Sequence, residues 1–402
     1  MKILFIADGR SPTARSWLKG LESFDHELHL ITTYPCSEIP GVKSITFLPV
    51  AFSQVGRDAQ TSGENTDHKI TNGRKSLVGR IISRFRKAFL SLRYILGPLS
   101  LWFTARVYRR MVRQINPDLV HALRIPYEGM LAAYTPREYR LVISSWGNDF
   151  TLHAEKTWLM KHATYRAMKR ADGFIADCHR DIRLAHKWGL RADVPAMFAP
   201  GSGGLDLDVI RKMVQRSSTK EMVVINPRGI RPVYVMNDQF FQSLPQVLGD
   251  HPGLQVYCAA MRGENDAEKW IKSLSLPSNV QLMPPMSQED LWEYGLKARV
   301  VVSPATHDGT PNSVLECMAL GCLPVVGDIE PLREWIVDGE NGLLVEPLDP
   351  RAIADGILRA LEDDALFERA RAINAQLVAE KADRQRVMPA VQAFYLDLVT
   401  KN

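Results

Sequence analysis

The stretch Ser303-Pro-Ala-Thr-His-Asp-Gly-Thr-Pro-Asn-Ser-Val-Leu-Glu-Cys-Met-Ala-Leu-Gly-Cys-Leu-Pro-Val-Val-Gly327 reads as strand, loop, helix, glycine, strand. Asp308-Gly309-Thr310-Pro311 is a tight turn at the carboxyl end of a strand, and Asn312 or Ser313 can cap the helix that follows. The start of such a helix offers N–H groups and the positive end of its dipole, which suits a phosphate. Glu316 lies about one turn further on. Asp308 and Glu316 are eight residues apart, so both carboxylates can border one ligand at a strand end, where doubly wound sheets bind their ligands. Spacing alone is equally served by an ordinary capped helix carrying a surface Asp and a helix Glu.

Outward from this stretch, strands and helices alternate in both directions. Met222–Asn226, Leu254–Ala259, Val280–Met283, Arg299–Ser303, Leu323–Val326 and Gly342–Val345 read as strands, with helices from Asn237, over Pro350–Leu361 and over Ala365–Lys381. The first half repeats the pattern. Lys2–Ala7, Glu27–Thr32, Ser44–Leu48, Asp118–Ala122, Arg140–Ser145, Asp172–Ala176 and Val194–Ala199 are strands, and Pro126–Tyr134 begins a helix. Alternation of this kind implies parallel sheets with helices on both faces. The cluster Pro200-Gly201-Ser202-Gly203-Gly204 marks a boundary and a hinge between two such blocks. The expected architecture is therefore α/β, two doubly wound parallel-sheet domains facing an interdomain cleft: 1–200, with 384–402 crossing back to it, and 207–381.

The length of 402 residues suits two domains of this size. With 46% hydrophobic and 24% charged residues, the composition excludes a mainly disordered, collagenous or disulfide-scaffold chain. The five cysteines are scattered with no C-x-x-C pair, which argues against a zinc ribbon and for a reducing compartment. The apolar run before Asp8 is too short for a signal peptide. No G-x-G-x-x-G follows the first strand and no G-x-x-x-x-G-K-[ST] occurs, against a dinucleotide oxidoreductase and a P-loop ATPase. Asp206-Leu207-Asp208 is a D-x-D in a linker, so no metal site is expected.

The 303–327 stretch resembles the signature of retaining glycosyltransferases of family 4, which have the GT-B fold. Their pattern is close to E-G-x-P-N-x-x-L-E-A-M-A-x-G-x-P-V-V; this chain has Asp308 for the first Glu, Cys317 for Ala, and one extra residue after Gly321. The resemblance extends to Pro117–His121, to Ser145–Asp149 (with Trp146 in place of a His), to Ala171–Ala176, to Asn279–Ser287 near the nucleotide base, and to the hairpin Asp338–Val345. It implies a nucleotide-sugar donor, UDP- or GDP-linked, with no further cofactor, and transfer to an acceptor hydroxyl with retention. It implies donor binding through Glu316 on the ribose, Arg228 and the second cation Arg231 on the diphosphate, and Gly309, Thr310, Asn312, Ser313 and Gly9 lining the ligand. It implies catalytic parts for Asp308, His121 and Asp149. The family's Arg–Lys pair is kept only as Arg228, with Val233 at the Lys position, and its H-x-H only as His121. By residue type alone, His121 is equally a core histidine and Gly9 an ordinary turn glycine. A GT-B sugar-nucleotide epimerase and a non-catalytic GT-B binding protein are the alternatives.

The net charge of +5 conceals an asymmetry. Lys69 to Arg113 holds twelve Lys/Arg and no Asp or Glu, leaving the rest of the chain at −7. Phe52–Ser76 reads as a polar loop. Two basic helices follow, Leu77–Gly97 and Leu99–Gln114, broken at Gly97-Pro98, with Ile81, Ile82, Phe85, Phe89 and Leu92 at helical spacing. The run Ala88–Ala105 is too short and too interrupted to span a bilayer. Segment 69–113 is expected to meet an anionic membrane surface rather than nucleic acid, which fits a lipid-linked glycan or cell-surface polysaccharide precursor as acceptor and a cytoplasmic, peripheral location.

Overall fold

The computed structural model describes residues 1–50, 86–216, 220–231 and 233–400. The Phe52–Ser76 loop and the expected helix over residues 77–85 lie outside them. Two units are present: Met1–Ala176 with Asp181–Phe198 and Gln392–Asn402, and Asp177–Arg180 with Ala199–Val391.

The first unit holds a parallel sheet of strands β1 (Lys2–Ala7), β2 (Glu27–Thr32), β3 (Val42–Phe47), β4 (Leu119–Ala122), β5 (Arg140–Ser145), β6 (Gly173–Ala176) and β7 (Ala196–Phe198). Their order across the sheet is β3-β2-β1-β4-β5-β6-β7. The chain winds outward from β1 in one direction, then restarts at β4 and winds in the other. Both faces are covered, so the central strands are apolar throughout rather than alternating, with Ile3, Leu4, Phe5 and Ile6 of β1 fully buried. Helix α1 (Pro12–Gly20) starts where Ser11 Oγ accepts from Ala14 N–H and Pro12 pre-sets the first turn; it buries Trp17 and Leu18.

Helix α2 (Arg86–Ile115) corrects the expectation of two helices, because Gly97-Pro98 does not break it. Pro98 has no N–H to give to the carbonyl of Tyr94, one turn earlier. That carbonyl instead accepts from Thr157 Oγ1 at 3.0 Å, so the group a proline orphans is satisfied from outside the helix. Leu101, Ala105, Tyr108 and Val112 recur at helical spacing as its inward face and are fully buried. Among the described residues no helix is long and apolar enough to cross a membrane. Helix α3 (Trp158–Arg170) is capped by Thr157, whose hydroxyl accepts from Met160 N–H.

The second unit repeats the plan with β8 (Glu221–Asn226), β9 (Gln255–Cys258), β10 (Val280–Leu282), β11 (Ala298–Ser303), β12 (Leu323–Gly327) and β13 (Leu343–Val345), ordered β10-β9-β8-β11-β12-β13 and parallel throughout. Its helices include α4 (Asn237–Asp250), α5 (Gln288–Lys297), α6 (Asn312–Ala319), α7 (Pro350–Glu362) and α8 (Asp364–Lys381). Asp349 and Asp363 cap α7 and α8. The 338–345 stretch is not a hairpin: Gly339 N–H closes a turn onto the Gly342 carbonyl, and β13 then pairs parallel to β12. Asn341, buried, fixes that turn by donating to the Trp335 carbonyl and to Asn374 Oδ1.

The final helix, α9 (Arg384–Thr400), is shared by the two units as they are divided. Its start is tied to the second unit, where Leu205 N–H donates to the Ala382 carbonyl and Arg384 N–H to the Leu205 carbonyl. Gly204, at φ +86°, sits so close to Arg384 that a Cβ would strike its backbone. In the first unit, Gly173 leaves room for Phe394 and Leu398.

Candidate functional site

In each unit the strand order reverses between two neighbours, β1/β4 and β8/β11, and the loops leaving such a pair splay apart to make a crevice. Arg228 follows β8 and Asp308 follows β11. Topology alone therefore brings together two side chains that lie eighty positions apart.

Asn226, the buried last residue of β8, organises the first loop. Its Oδ1 accepts from Arg228 N–H at 3.2 Å and its Nδ2 donates to Asn237 Oδ1 at 2.9 Å. Asn237 Nδ2 in turn donates to the Gly229 carbonyl at 2.8 Å, and Gly229 takes φ +62°. The loop held this way aims the Arg228 guanidinium at Asp308, where Nη2 donates to Oδ2 in a short ion pair. Asp308 Oδ1 accepts from Gly309 N–H at 3.0 Å, and the Asp308 carbonyl accepts from Arg180 Nη1 at 2.9 Å. Burial pushes the Asp308 carboxyl above its usual range, against the opposing pull of Arg228, the Gly309 N–H, Arg180 and Arg231.

The next two residues are packed without slack. A Cβ on Gly309 would overlap the Asp177 carboxylate. Thr310 Oγ1 donates to the Asp177 carbonyl and accepts from Trp335 Nε1 at 3.1 Å. The capping expectation is corrected here: Pro311, extended at φ −76° and ψ 104°, is the residue before α6, and no side chain caps the helix. Asn312 and Ser313 instead open the helix, where their N–H groups lie outside the intrahelical ladder. Asn312 Oδ1 accepts from Ser202 Oγ at 3.2 Å, which brings the Gly201–Gly204 loop to the head of α6.

Glu316, one turn along α6, is buried with both oxygens engaged: Oε1 accepts from Gln288 Nε2 at 2.7 Å and Oε2 from Trp292 Nε1 at 3.0 Å. Desolvation pushes its carboxyl up to about 7, against those two hydrogen bonds and the field of Arg384. Arg231 is exposed, and it reaches Asp308 only through its field. Val233, at the position of the missing Lys, is also exposed, at φ +87°, a left-handed conformation unusual for a β-branched residue.

Each of the first unit's residues is tied to partners of its own. Gly9 follows β1; its N–H donates to Thr32 Oγ1 at 3.0 Å, and a Cβ there would overlap Cys36 Sγ. His121, in β4, is 0% exposed, with Nε2 on Ser144 Oγ at 2.8 Å and Nδ1 on Tyr395 OH at 2.7 Å. Tyr395 OH also accepts from Trp17 Nε1 at 3.2 Å, so Trp17, Tyr395, His121 and Ser144 form one buried chain of hydrogen bonds. Burial drives the imidazole down to about 3, so it stays neutral. This is the core-histidine reading of His121: neither ring nitrogen is presented to a ligand in this arrangement. Asp149 is likewise consumed by structure. Its carboxylate accepts from Arg124 Nη2 at 2.7 Å, Ile125 N–H at 2.9 Å and Trp146 N–H at 3.2 Å, fixing the loop after β4.

Sequence reasoning missed Asn226, Asn237, Arg180, Trp292 and the buried Glu128, which accepts from Thr33 Oγ1 at 2.7 Å and whose carboxyl burial pushes up. Only Asn226 carried a signal, as the polar residue ending an apolar strand. Asn237 closes its own short loop, while Arg180, Trp292 and Glu128 reach partners remote in the chain.

Residues 238–377 match the family model described as "Glycosyl transferases group 1", and residues 83–178 match "Glycosyl transferase 4-like". Together the two matches span more than half of the chain. The chain is similar to D-inositol 3-phosphate glycosyltransferase of Nocardioides sp., 34% identical over 22% of this chain and 20% of that protein. It is similar to GDP-mannose:cellobiosyl-diphosphopolyprenol alpha-mannosyltransferase of Xanthomonas campestris, 28% identical over 34% of this chain and 36% of that protein. The matched stretches thus span only about a fifth to a third of these relatives. Among solved structures, Anabaena Alr3699/HepE in complex with UDP superposes at a TM-score of 0.70 over 99% of this chain and 100% of that one, at 14% identity. The two Rossmann-like units are those of the GT-B fold.

Proposed function

The chain belongs to the glycosyl transferases group 1 family, and from that premise we propose that it transfers a sugar from a nucleotide-diphosphate sugar to an acceptor hydroxyl, with retention at the anomeric carbon. The observation that carries the reading is the Arg228–Asp308 pair at the β8/β11 switch point, beside the open start of α6. A leaving nucleotide diphosphate gathers negative charge as the glycosidic bond breaks, and that charge needs donors already in place. Arg228 supplies a guanidinium from a loop that Asn226 holds through the Arg228 backbone N–H, and Asn312 and Ser313 supply backbone N–H groups at a positive helix end. When a diphosphate arrives, Arg228 turns part of its fork from Asp308 to phosphate oxygen, leaving Asp308 to face the donor sugar. Glu316 accepts from the nucleotide ribose through a lone pair that Gln288 and Trp292 leave open.

The donor is UDP- or GDP-linked: a similar fold holds UDP in the Anabaena protein, and a relative is named for GDP-mannose. The acceptor is a lipid-linked glycan or a cell-surface polysaccharide precursor, in keeping with the diphosphopolyprenol named for that relative. The test is incubation with a panel of UDP- and GDP-sugars, read by calorimetric binding and by nucleotide release. The anomeric configuration of any product is then read by NMR. Saturable binding of one nucleotide family with slow donor hydrolysis supports the reading. Failure to bind any nucleotide sugar rejects it, and an inverted product rejects retention.

A further inference from the structure

Helix α2 carries two faces. The inward one is Leu101, Ala105, Tyr108 and Val112. The opposite one holds large apolar side chains left open to solvent: Ile95 is 47% exposed, Leu99 48%, Trp102 64% and Phe103 72%. Trp102 and Phe103 touch edge-to-face, ring centroids 5.0 Å apart, so they form one aromatic knob. Further along the same face, Arg106, Arg109, Arg110 and Arg113 line a shallow depression with Gln114. At 100° per residue these eight side chains fall within a band of roughly 120°. The helix contains no Asp or Glu, and the one described ion pair on the face is a loose one, Arg113 to Glu138 at 3.9 Å between well-exposed side chains.

We propose that this face of α2 docks on an anionic lipid surface, the Ile95–Phe103 half entering the acyl boundary and the Arg106–Arg113 half gripping the headgroup phosphates. Each half spans roughly 10–12 Å along the axis, so the two match one tilted contact rather than two separate sites. An aromatic and aliphatic patch beside a cation row fits the boundary between acyl chains and phosphates. Single-stranded nucleic acid fits less well. Ile95 and Leu99 give no stacking surface, and the knob stands on a convex helix rather than in a groove that tracks a backbone. The inference stands on exposure and charge alone and does not depend on the sugar-transfer reading.

The test is sedimentation of the full chain with phosphatidylglycerol-containing and with pure phosphatidylcholine vesicles, alongside Arg106→Gln with Arg110→Gln and, separately, Trp102→Ala with Phe103→Ala. Neither arginine side chain makes a described hydrogen bond, and circular dichroism checks that both variants fold. At about fivefold per cation, the arginine variant weakens binding to anionic vesicles roughly 25-fold, and the aromatic variant weakens it about tenfold or more. Quenching of Trp102 by brominated acyl chains, lost in Trp102→Phe, shows insertion. Equal binding to neutral vesicles, unchanged binding in the arginine variant, or capture of an RNA oligomer without vesicle binding each overturns the proposal.

Discussion

Replacing Glu316 by Gln separates stability from ligand binding. The carboxyl is buried and held at about 7, against an ordinary value near 4.5. The folded chain therefore binds that proton more tightly than the unfolded chain, by about 3 kcal/mol. Between pH 4.5 and 7 the unfolded chain ionises first, so the stability this group contributes falls as pH rises through that window. Above pH 7 the folded state carries the whole cost of a desolvated carboxylate. Gln does not ionise, and its amide fits the site. Its oxygen keeps the bond from buried Trp292 Nε1, and its NH2 donates to Gln288, which is exposed and free to turn its own amide over. Relative to the native chain, Glu316→Gln gains stability with pH, by about 3 kcal/mol between pH 4.5 and 8. Its nucleotide affinity moves the other way. Exchanging a charge-assisted hydrogen bond to the ribose for a neutral one costs about 1 kcal/mol, near fivefold in Kd. Urea unfolding from pH 4.5 to 8.5 and calorimetry with nucleotide at pH 8 read the two effects. A stability difference that stays flat with pH refutes the desolvation argument. A correct stability curve with unchanged nucleotide affinity refutes only the ribose contact.

Arg228→Ala lowers nucleotide affinity and turnover more than Arg231→Ala, because Arg228 is held on Asp308 while Arg231 is exposed; equal losses in calorimetry and rate would remove the proposed diphosphate grip. Asp308→Asn lowers turnover by roughly 10²–10³ with little change in donor affinity, read from steady-state rates. Gly309→Ala drives a methyl into the Asp177 carboxylate and destabilises by about 1–3 kcal/mol in thermal unfolding; a chain as stable as the native one means the loop yields easily. Tyr395→Phe orphans two buried groups at once, Trp17 Nε1 and His121 Nδ1, at about 1–3 kcal/mol each. It leaves the acid dependence in place. Burial, not Tyr395, holds His121 neutral down to about pH 3, so its contribution is lost as pH falls below the ordinary 6.5, and acid titration of the variant shows the same loss as the native chain.

Much of this protein was legible in the chain itself. Continuous Val/Ile/Leu runs alternating with amphipathic stretches determined parallel sheets covered on both faces, because a strand buried on both sides has no polar face to show. The 303–327 stretch placed Asp308, Gly309, Thr310 and Glu316 correctly along a strand end and a helix, since backbone periodicity is local. The twelve cations without an acid between Lys69 and Arg113 were equally plain.

What the sequence left open is decided by partners remote in the chain. Pro98 predicts a helix break, yet Thr157 supplies the missing donor from another helix, and α2 runs on. Asn312 and Ser313 are good caps by type, but the extended Pro311 sets the helix start one residue early and uses them as its opening turn. His121 and Asp149 carry the residue types of catalysis; only the sheet shows their polar atoms already bonded, to Tyr395 and Ser144 and to Arg124, Ile125 and Trp146. The joining of Arg228 to Asp308 came from strand order, which no local pattern encodes. Local propensity sets which element forms, but a polar atom's role depends on what desolvates it and what bonds it, and both are supplied by tertiary packing.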